Sequence, residues 1–327
     1  MDNRPVGVFD SGLGGLTAVK ELMEVLPGED IIYFGDTGRV PYGGRSRETI
    51  IKYARQDIAF LRRFDIKAVL AACGTVSTNG LEDFAGEYDI PVWGVVDSAA
   101  RAAVRATRSG RIGIIGTNAS VRSGSYVRKI TSLMPDAVIT QKACPLFVPL
   151  VEAGKTGKGD AVLRLVAEEY LEPMKDAGVD TLILGCTHYP LIADTIADIM
   201  GASVALVDTG AECARDIAAF LAENDMLSGN THGHCRYFVS DSAEDFERTA
   251  AAFLQCGIRA ARPRFPLTIY KIGAATRRIT LRTTIKEKQF ERRNNLSKRA
   301  PRSERRGRGY RARHRREILL FGRGGQL

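Results

Sequence analysis

A cysteine and a histidine stand two positions apart in LGCTHYP (184–190), directly after the apolar stretch TLIL (181–184). The branched apolar run predicts a buried strand, which would leave Cys186, Thr187 and His188 at its carboxyl end. An imidazole this close to a thiol can stabilise the thiolate or carry its proton. The spacing permits this chemistry without requiring it, because a buried structural cysteine would fit as well.

A second cysteine has a comparable setting. Cys73 closes the apolar run KAVLAAC (67–73), and Thr75 follows it closely, as Thr187 follows Cys186. Taken alone, a cysteine at a strand end is more often a packing residue than a reactive one. The similarity of the two segments nevertheless suggests two related halves. The carboxyl ends of parallel strands line ligand crevices, so facing halves would present both thiols to one cleft.

Two glycine-rich loops also follow predicted strands. FDSGLGGL (9–16) opens a helix, but it lacks the third glycine of a dinucleotide fingerprint and the lysine of a P-loop. Its free N–H groups would favour an anion such as a carboxylate. Asp10 and Ser11 stand at its mouth, where Asp10 either takes part in the site or merely caps the turn. GDTGRVPYGGRS (35–46) is the second loop, in which glycines allow a close approach of backbone to ligand.

The segment THGHC (231–235) is the one place where histidines and a cysteine cluster in sequence. No comparable cluster completes four ligands, so we expect a loop before the strand RYFVS and no metal site. The six cysteines are scattered without a C-x-x-C pair, which indicates reduced thiols. With neither a signal-like start nor an apolar run of membrane-spanning length, the sequence predicts a soluble, cytoplasmic protein with no membrane contact.

Predicted strands and helices, which would position these residues, alternate along the first 256 positions. Apolar strand-like runs are VGVF (6–9), DIIYFGD (30–36), KAVLAAC (67–73), VWGVV (92–96), RIGIIGT (111–117), TLILGCT (181–187) and SVALVD (203–208). Helical faces lie between them, for example Leu16, Val19, Met23 and Leu26, and later Val162, Leu165, Val166, Tyr170 and Leu171. This alternation predicts an α/β fold with mostly parallel sheets, and 44% hydrophobic residues suffice for a packed core.

Five motifs together resemble glutamate racemase, the cofactor-independent enzyme that interconverts L- and D-glutamate for bacterial cell-wall (peptidoglycan) synthesis. They are FDSGLGGL, GDTGRVPYGG, the AAC-x-T-x-S stretch at 71–77, CPLFVPLVE (144–152) and LGCTHYP, in the family's order and approximate spacing. The resemblance covers nearly all of residues 4–254. It implies two pseudo-symmetric α/β domains with the active site in the cleft between them, a glutamate substrate, no cofactor, no metal, and a homodimer.

The resemblance also implies residue roles. Cys73 would take the α-proton from D-glutamate with Asp10 assisting, and Cys186 would take it from L-glutamate with His188 assisting. Glu152 would contribute secondarily. The substrate would lie against Asp10, Ser11, Pro41, Tyr42, Gly43, Gly74, Thr75, Thr187 and His188, whose hydroxyls and backbone N–H groups would hold both carboxylates. Gly74 departs from the family, which usually has asparagine there, so weaker substrate binding is expected.

The expected domains are residues 1–97 with 210–256 for the first and 98–209 for the second, followed by a basic tail at 257–327. That tail holds 22 Lys and Arg against 4 Glu. The residues before it therefore carry a net negative charge, although the net charge of the whole chain is +9. We expect the tail to be disordered, and to be either an arm for nucleic acid or, in the favoured interpretation, a frame-altered end. Alternative functions are a racemase for aspartate or another amino acid, and a nucleic-acid- or gyrase-binding protein acting through the tail.

Overall fold

The structure, a computed structural model, describes residues 1–254 and 268–271. The predicted basic tail at 257–327 lies, apart from residues 268–271, outside the described residues. Ten strands are described: β1 (Val6–Asp10), β2 (Ile31–Gly35), β3 (Ala68–Ala71), β4 (Val92–Gly94), β5 (Arg111–Gly116), β6 (Val138–Ala143), β7 (Thr181–Gly185), β8 (Ala205–Asp208), β9 (Cys235–Val239) and β10 (Thr268–Lys271). Every strand prediction made above has its counterpart among them.

Helices separate most of these strands. They are α1 (Leu16–Val25), α2 (Arg47–Leu61), α3 (Gly74–Thr78), α4 (Leu81–Phe84), α5 (Val95–Ala106), α6 (Asn118–Ser123), α7 (Ser125–Leu133), α8 (Phe147–Glu152), α9 (Ala161–Asp176), α10 (Ala193–Met200), α11 (Thr209–Glu223) and α12 (Ala243–Leu254). Short 3-10 turns occupy Arg62–Phe64, Ala85–Glu87 and Tyr189–Ile192. Within the described residues, no helix is long and apolar enough to cross a membrane.

The strands form two parallel sheets, as the sequence predicts. The first has six strands in the order β10-β9-β2-β1-β3-β4, and the second has four in the order β6-β5-β7-β8. In the first sheet Val6 lies opposite both Ile31 and Ala68, and all five residues of β1 and β2 are buried. Strands covered on both faces need apolar side chains throughout, which explains their unbroken hydrophobic runs.

Strand β6 was missed in the sequence, and the structure shows why. It is the edge strand of the second sheet, pairs only with β5 among the described strands, and reads VITQKA with partly exposed side chains. An edge strand that is half solvated does not need the branched apolar run by which the others were identified.

The predicted face of α9 was also partly wrong. The buried side chains are Leu163, Ala167, Tyr170, Leu171 and Met174, whereas Val162 and Leu165 are 52% and 69% exposed. Tyr170 and Leu171 sit on the core-facing side as predicted. Because six of the first seven residues of the helix are apolar, apolar spacing alone does not identify which of them turn inward.

The loop before β9 agrees with its prediction. Residues 231–234 of THGHC are an irregular loop, and Cys235 is the first residue of β9 and is buried in the core. Among residues 1–254 and 268–271, no group of three or more His, Cys, Asp or Glu side chains is arranged to hold a metal ion.

Candidate active site

One cavity of about 420 Å³ lies at the carboxyl ends of strands from both sheets. Cys73 reaches it from the end of β3, and Cys186 reaches it from the end of β7. Of the residues predicted for the site, those that line it are Ser11, Pro41, Tyr42, Gly43, Cys73, Gly74, Thr75, Glu152, Cys186, Thr187 and His188. The two thiol segments that are 113 positions apart in the sequence therefore face the same space.

Cys186 belongs to a chain of three polar groups. Its Sγ lies 3.8 Å from Nδ1 of His188, whose Nε2 lies 3.1 Å from Oε1 of Glu152. Burial of the imidazole acts to lower the pKa of His188, but its contacts with Cys186 and Glu152 prevail and raise it to about 10. A protonated imidazole held by a carboxylate is the environment that favours a neighbouring thiolate.

Cys73 has a different environment. Its Sγ donates to Oγ of Ser11 at 3.5 Å, and the side chain is almost fully buried. Burial and the nearby Asp10 carboxylate raise the pKa of Cys73 to about 12. At neutral pH this group is therefore a thiol, so the cavity has a proton donor on this side and a sulfur supported by an imidazole on the other.

Asp10 lies behind the cavity wall instead of lining it. It ends β1 with 1% of its surface exposed, and its Oδ2 accepts the backbone N–H of Gly12 at 2.8 Å. Burial raises the pKa of Asp10, although the positive charge of His188 acts to lower that pKa. The carboxyl group thus caps the turn, as one of the two interpretations stated, while it also sits in the electrostatic field of both Cys73 and His188.

Two glycines pack closely against the segment that carries Cys186. A Cβ placed on Gly14 would lie 2.2 Å from Oγ1 of Thr187 and 2.6 Å from Nδ1 of His188. A Cβ on Gly74 would lie 2.6 Å from the carbonyl oxygen of Gly185, which precedes Cys186. The turn after Cys73 therefore approaches the strand end before Cys186 more closely than a residue with a side chain allows, so an asparagine at position 74 would need a backbone shift.

Tyr42 requires a correction, because its hydroxyl is not available to a ligand. The phenol is buried and donates to carboxylates of Asp36 and, at 3.1 Å, Asp57. Arg39 forms ion pairs with the same two aspartates. This network fixes the loop at 36–46 so that Pro41 and Gly43 line the cavity, and Tyr42 can offer a ligand its backbone but not its hydroxyl.

Hydroxyl groups come from both halves of the chain. Oγ1 of Thr75 lies 3.2 Å from Oγ1 of Thr117, and Thr117 also caps α6 by accepting the N–H of Ser120. The carbonyl of Thr187 accepts the hydroxyl of Thr17 at 2.9 Å. Thr75 and Thr187 therefore stand at the cavity as predicted, each held by a partner from a distant segment.

Several lining residues were not predicted. They are Gly12, Val40, Gly44, Thr117, Asn118, Cys144, Pro145, Val148 and Pro149. Thr117 and Asn118 follow β5, a strand that the sequence did identify, so the rule about carboxyl ends of strands would have found them. Cys144 follows β6, which was not recognised as a strand.

Comparisons with known proteins agree with this architecture. The model of the Asp/Glu/Hydantoin racemase family matches residues 18–217. A glutamate racemase of Geobacter metallireducens is 46% identical over 252 residues, which is 77% of this chain and 93% of that protein. The glutamate racemase of Francisella tularensis, solved in complex with D-glutamate, is 37% identical with a TM-score of 0.74, covering 84% of this chain and 100% of that one.

A second solved structure, glutamate racemase isoform RacE1 of Bacillus anthracis, is 32% identical with a TM-score of 0.77. It covers 84% of this chain and 99% of that chain. The family matched, the relatives and the solved structures thus confirm the resemblance drawn from the five motifs. The chain belongs to the Asp/Glu/Hydantoin racemase family and, within it, to the glutamate racemases.

Proposed function

We propose that this protein interconverts L- and D-glutamate by a two-thiol acid–base mechanism that needs no cofactor. One observation carries the proposal: Cys73 and Cys186 line a single cavity, and each has its own titratable neighbours. A single base would tend to return the α-proton to the face from which it came. Two thiols on opposite faces of the α-carbon avoid this, because one removes a proton while the other supplies one.

The environments of the sulfurs assign the roles. With L-glutamate bound, Cys186 acts as the thiolate base, supported by the protonated His188, and the Cys73 thiol delivers a proton to the other face. In the reverse direction Cys73 is the base, with Asp10 as the neighbouring carboxyl group. Positioning both sulfurs against one carbon accounts for much of the rate, because the reacting groups no longer have to meet by diffusion.

The glutamate carboxylates would be held by hydroxyls and backbone N–H groups. Ser11 and the loop containing Pro41, Tyr42 and Gly43 lie on one side of the cavity, and Thr75 and Thr187 lie at the two thiol segments. Donors that are already in place stabilise the negative charge that spreads onto the α-carboxylate during deprotonation. Gly74 supplies no side-chain donor, so we expect weaker substrate binding than asparagine would give.

We place this activity in the cytoplasm, where it would supply D-glutamate for peptidoglycan synthesis, and propose a homodimer. The domains proposed are residues 1–97 with 210–256, and 98–209. Any contact with nucleic acid would be made by the segment 257–327. These assignments rest on the family and on the sequence patterns described above.

The test is an assay of the purified full chain, dialysed against a chelator, with L-glutamate, D-glutamate or L-aspartate as substrate. We expect both glutamate isomers to reach an equal mixture and aspartate to react far more slowly. Chiral chromatography of samples taken over time measures the conversion. Faster conversion of aspartate, or no conversion of glutamate, would contradict the proposed substrate.

The raised pKa of His188 predicts a pH dependence of stability. Its pKa is about 10 in the folded chain against an ordinary 6.5, so its contribution is complete below pH 6.5 and disappears as the pH rises through about 10. The free energy of unfolding of the wild type relative to His188→Asn should therefore shrink between pH 7 and pH 10. Urea unfolding at several pH values measures the difference, and a difference that grows with pH would be the contrary result.

A further inference from the structure

We infer that Asp57 is a neutral carboxylic acid in the folded protein, and that its hydrogen completes a chain of hydrogen bonds that holds the substrate loop against the catalytic cavity. The substrate loop is the segment 36–46, which the proposed function places beside glutamate, so the inference rests on that function. Asp57 lies in α2 and does not line the cavity. It is therefore a positioning residue, which acts through Tyr42 and not by touching the substrate.

The substrate loop has few anchors in the core. Between residues 37 and 46, Tyr42 is the one residue that is buried. Near the start of the loop, the N–H of Gly38 donates to Oγ of Ser240 at 2.8 Å. The part that reaches the cavity, at 41–44, therefore depends on the contacts that the Tyr42 side chain makes.

The Tyr42 hydroxyl can donate to either of two carboxyl groups, but it has a single hydrogen. Its Oη contacts Oδ2 of Asp36 and, at 3.1 Å, Oδ2 of Asp57. When the hydrogen points to one carboxyl, a lone pair of the phenol oxygen faces the other. Two ionised carboxylates would therefore leave one of these contacts repulsive. The contact becomes favourable when the second carboxyl carries a hydrogen of its own and donates it to the phenol oxygen.

The charges around the two aspartates also require one proton. Both carboxyl side chains are fully buried, and within the described part of the chain Arg39 is the one cation that pairs with either of them. Its Nε lies 2.5 Å from Asp36 and its Nη2 lies 2.8 Å from Asp57. The acidic Asp10, at the end of β1, opposes a second negative charge on this pair. Two buried carboxylates that share one guanidinium would keep a net charge out of water, and retention of a proton removes that charge.

The contacts place this proton on Asp57. On Asp36 a single oxygen, Oδ2, accepts from both Arg39 and the Tyr42 hydroxyl, and donated hydrogen bonds favour the ionised form of a carboxyl group. On Asp57 the Arg39 contact uses Oδ1, which leaves Oδ2 to donate a hydrogen to Tyr42. Burial and the nearby Asp36 raise the pKa of Asp57 well above its ordinary value, against the effect of Arg39. The chain therefore runs from Asp57 through Tyr42 to an ionised Asp36, which Arg39 neutralises.

This chain affects glutamate binding through the fraction of molecules whose substrate loop is in place. When the loop is in place for only part of the time, the apparent affinity for the substrate falls by that fraction. Once glutamate is bound, the loop is in place, so the chemical step between the thiols proceeds as before. Loss of the chain should therefore raise KM and change kcat little. A residue that acted on the thiols themselves would lower kcat instead.

The experiment compares Asp57→Asn with Asp57→Ala in the purified full chain. Asparagine reproduces the neutral acid, because its amide oxygen can accept from Arg39 and its N–H can donate to Tyr42. We expect the KM for glutamate to stay within about twofold of the wild type in Asp57→Asn and to rise at least about fivefold in Asp57→Ala, with kcat within about twofold in both. Tyr42→Phe keeps the ring but removes the hydroxyl, so its KM should rise by a similar factor.

Asp83→Ala is the matched control. Asp83 also pairs with an arginine, Arg47 at the start of α2, but its side chain is 50% exposed and lies outside the catalytic cavity. Its KM and kcat should equal those of the wild type. A KM that rises as much in Asp57→Asn as in Asp57→Ala would show that the charge of Asp57 is needed, and would overturn the inference. An unchanged KM in both Asp57→Ala and Tyr42→Phe would overturn the positioning role.

The hydrogen on Asp57 can also be detected without an assay of activity. The infrared difference spectrum between the wild type and Asp57→Asn at neutral pH should contain the carbonyl stretch of a protonated carboxylic acid, contributed by the wild type. The bands of an ionised carboxylate in its place would contradict the inference and leave the racemase assignment intact. A wild type that has the acid band but does not racemise glutamate would instead remove the proposed function.

Discussion

Cys73→Ser and Cys186→Ser are each expected to lower the rate of glutamate racemisation by about 10²- to 10⁴-fold. A serine hydroxyl is far less acidic than a thiol, so it neither forms the required anion nor matches its partner sulfur as an acid. The value of kcat/KM must fall by the same factor for L-glutamate and for D-glutamate, because the two enantiomers have equal free energies. Chiral chromatography with either isomer as substrate measures the rates.

Cys213→Ser supplies the control for these variants. Cys213 is fully buried in α11, away from the cavity lining, and its Sγ donates to the carbonyl of Gly94 at 3.8 Å. A serine hydroxyl can donate to the same carbonyl, so racemisation should stay near the wild-type rate. Wild-type rates in either Cys73→Ser or Cys186→Ser would show that the sulfur concerned is not an acid–base group.

A second large effect is expected at Lys67, at the start of the segment that leads into β3. Its side chain is fully buried, with Nζ 2.6 Å from Oε2 of Glu29 and 2.6 Å from the backbone carbonyls of Asp2 and Met226. The ammonium group therefore joins the amino-terminal segment to the chain that follows α11. Removal of one partner leaves the other charge buried without compensation.

Lys67→Ala should lower the free energy of unfolding by about 3–5 kcal/mol, as is usual when one member of a buried pair is removed. Urea denaturation followed by circular dichroism measures the loss. The double variant Lys67→Met, Glu29→Leu removes both charges and should recover part of it. A loss below about 1 kcal/mol in Lys67→Ala would mean that the pair is solvated, unlike a buried pair.

The sequence predicts the fold wherever strands are buried on both faces. Runs such as VGVF and TLIL are apolar at nearly every position, as strands buried on both faces must be, so these runs alone predict β1 and β7. Edge strand β6 carries Thr140, Gln141 and Lys142, and its pattern resembles a loop. In α9 the apolar residues outnumber the positions available on one face, so only packing decides that Leu163 is buried and Leu165 exposed.

The candidate site likewise has features that local sequence reveals and features that depend on packing. Both thiols and the glycine loops were predicted, because strand ends and glycine turns are local features of sequence. The hydrogen bonds from the Tyr42 hydroxyl to Asp36 and Asp57 were not predicted, because those carboxylates come from a strand end and from the middle of α2. Nor does a sequence reveal that the turn at Gly74 presses against the carbonyl of Gly185. Such contacts exist only once the two sheets are assembled.

The most direct test of the two-thiol mechanism is racemisation of L-glutamate by the wild type in heavy water, stopped within the first few per cent of conversion. Mass spectrometry of the D-glutamate formed should find one solvent deuterium at the α-carbon of each product molecule, because the proton is delivered by a different sulfur from the one that removed the original hydrogen. D-glutamate that retains the substrate's own α-hydrogen would show that one base serves both faces, and would contradict the mechanism.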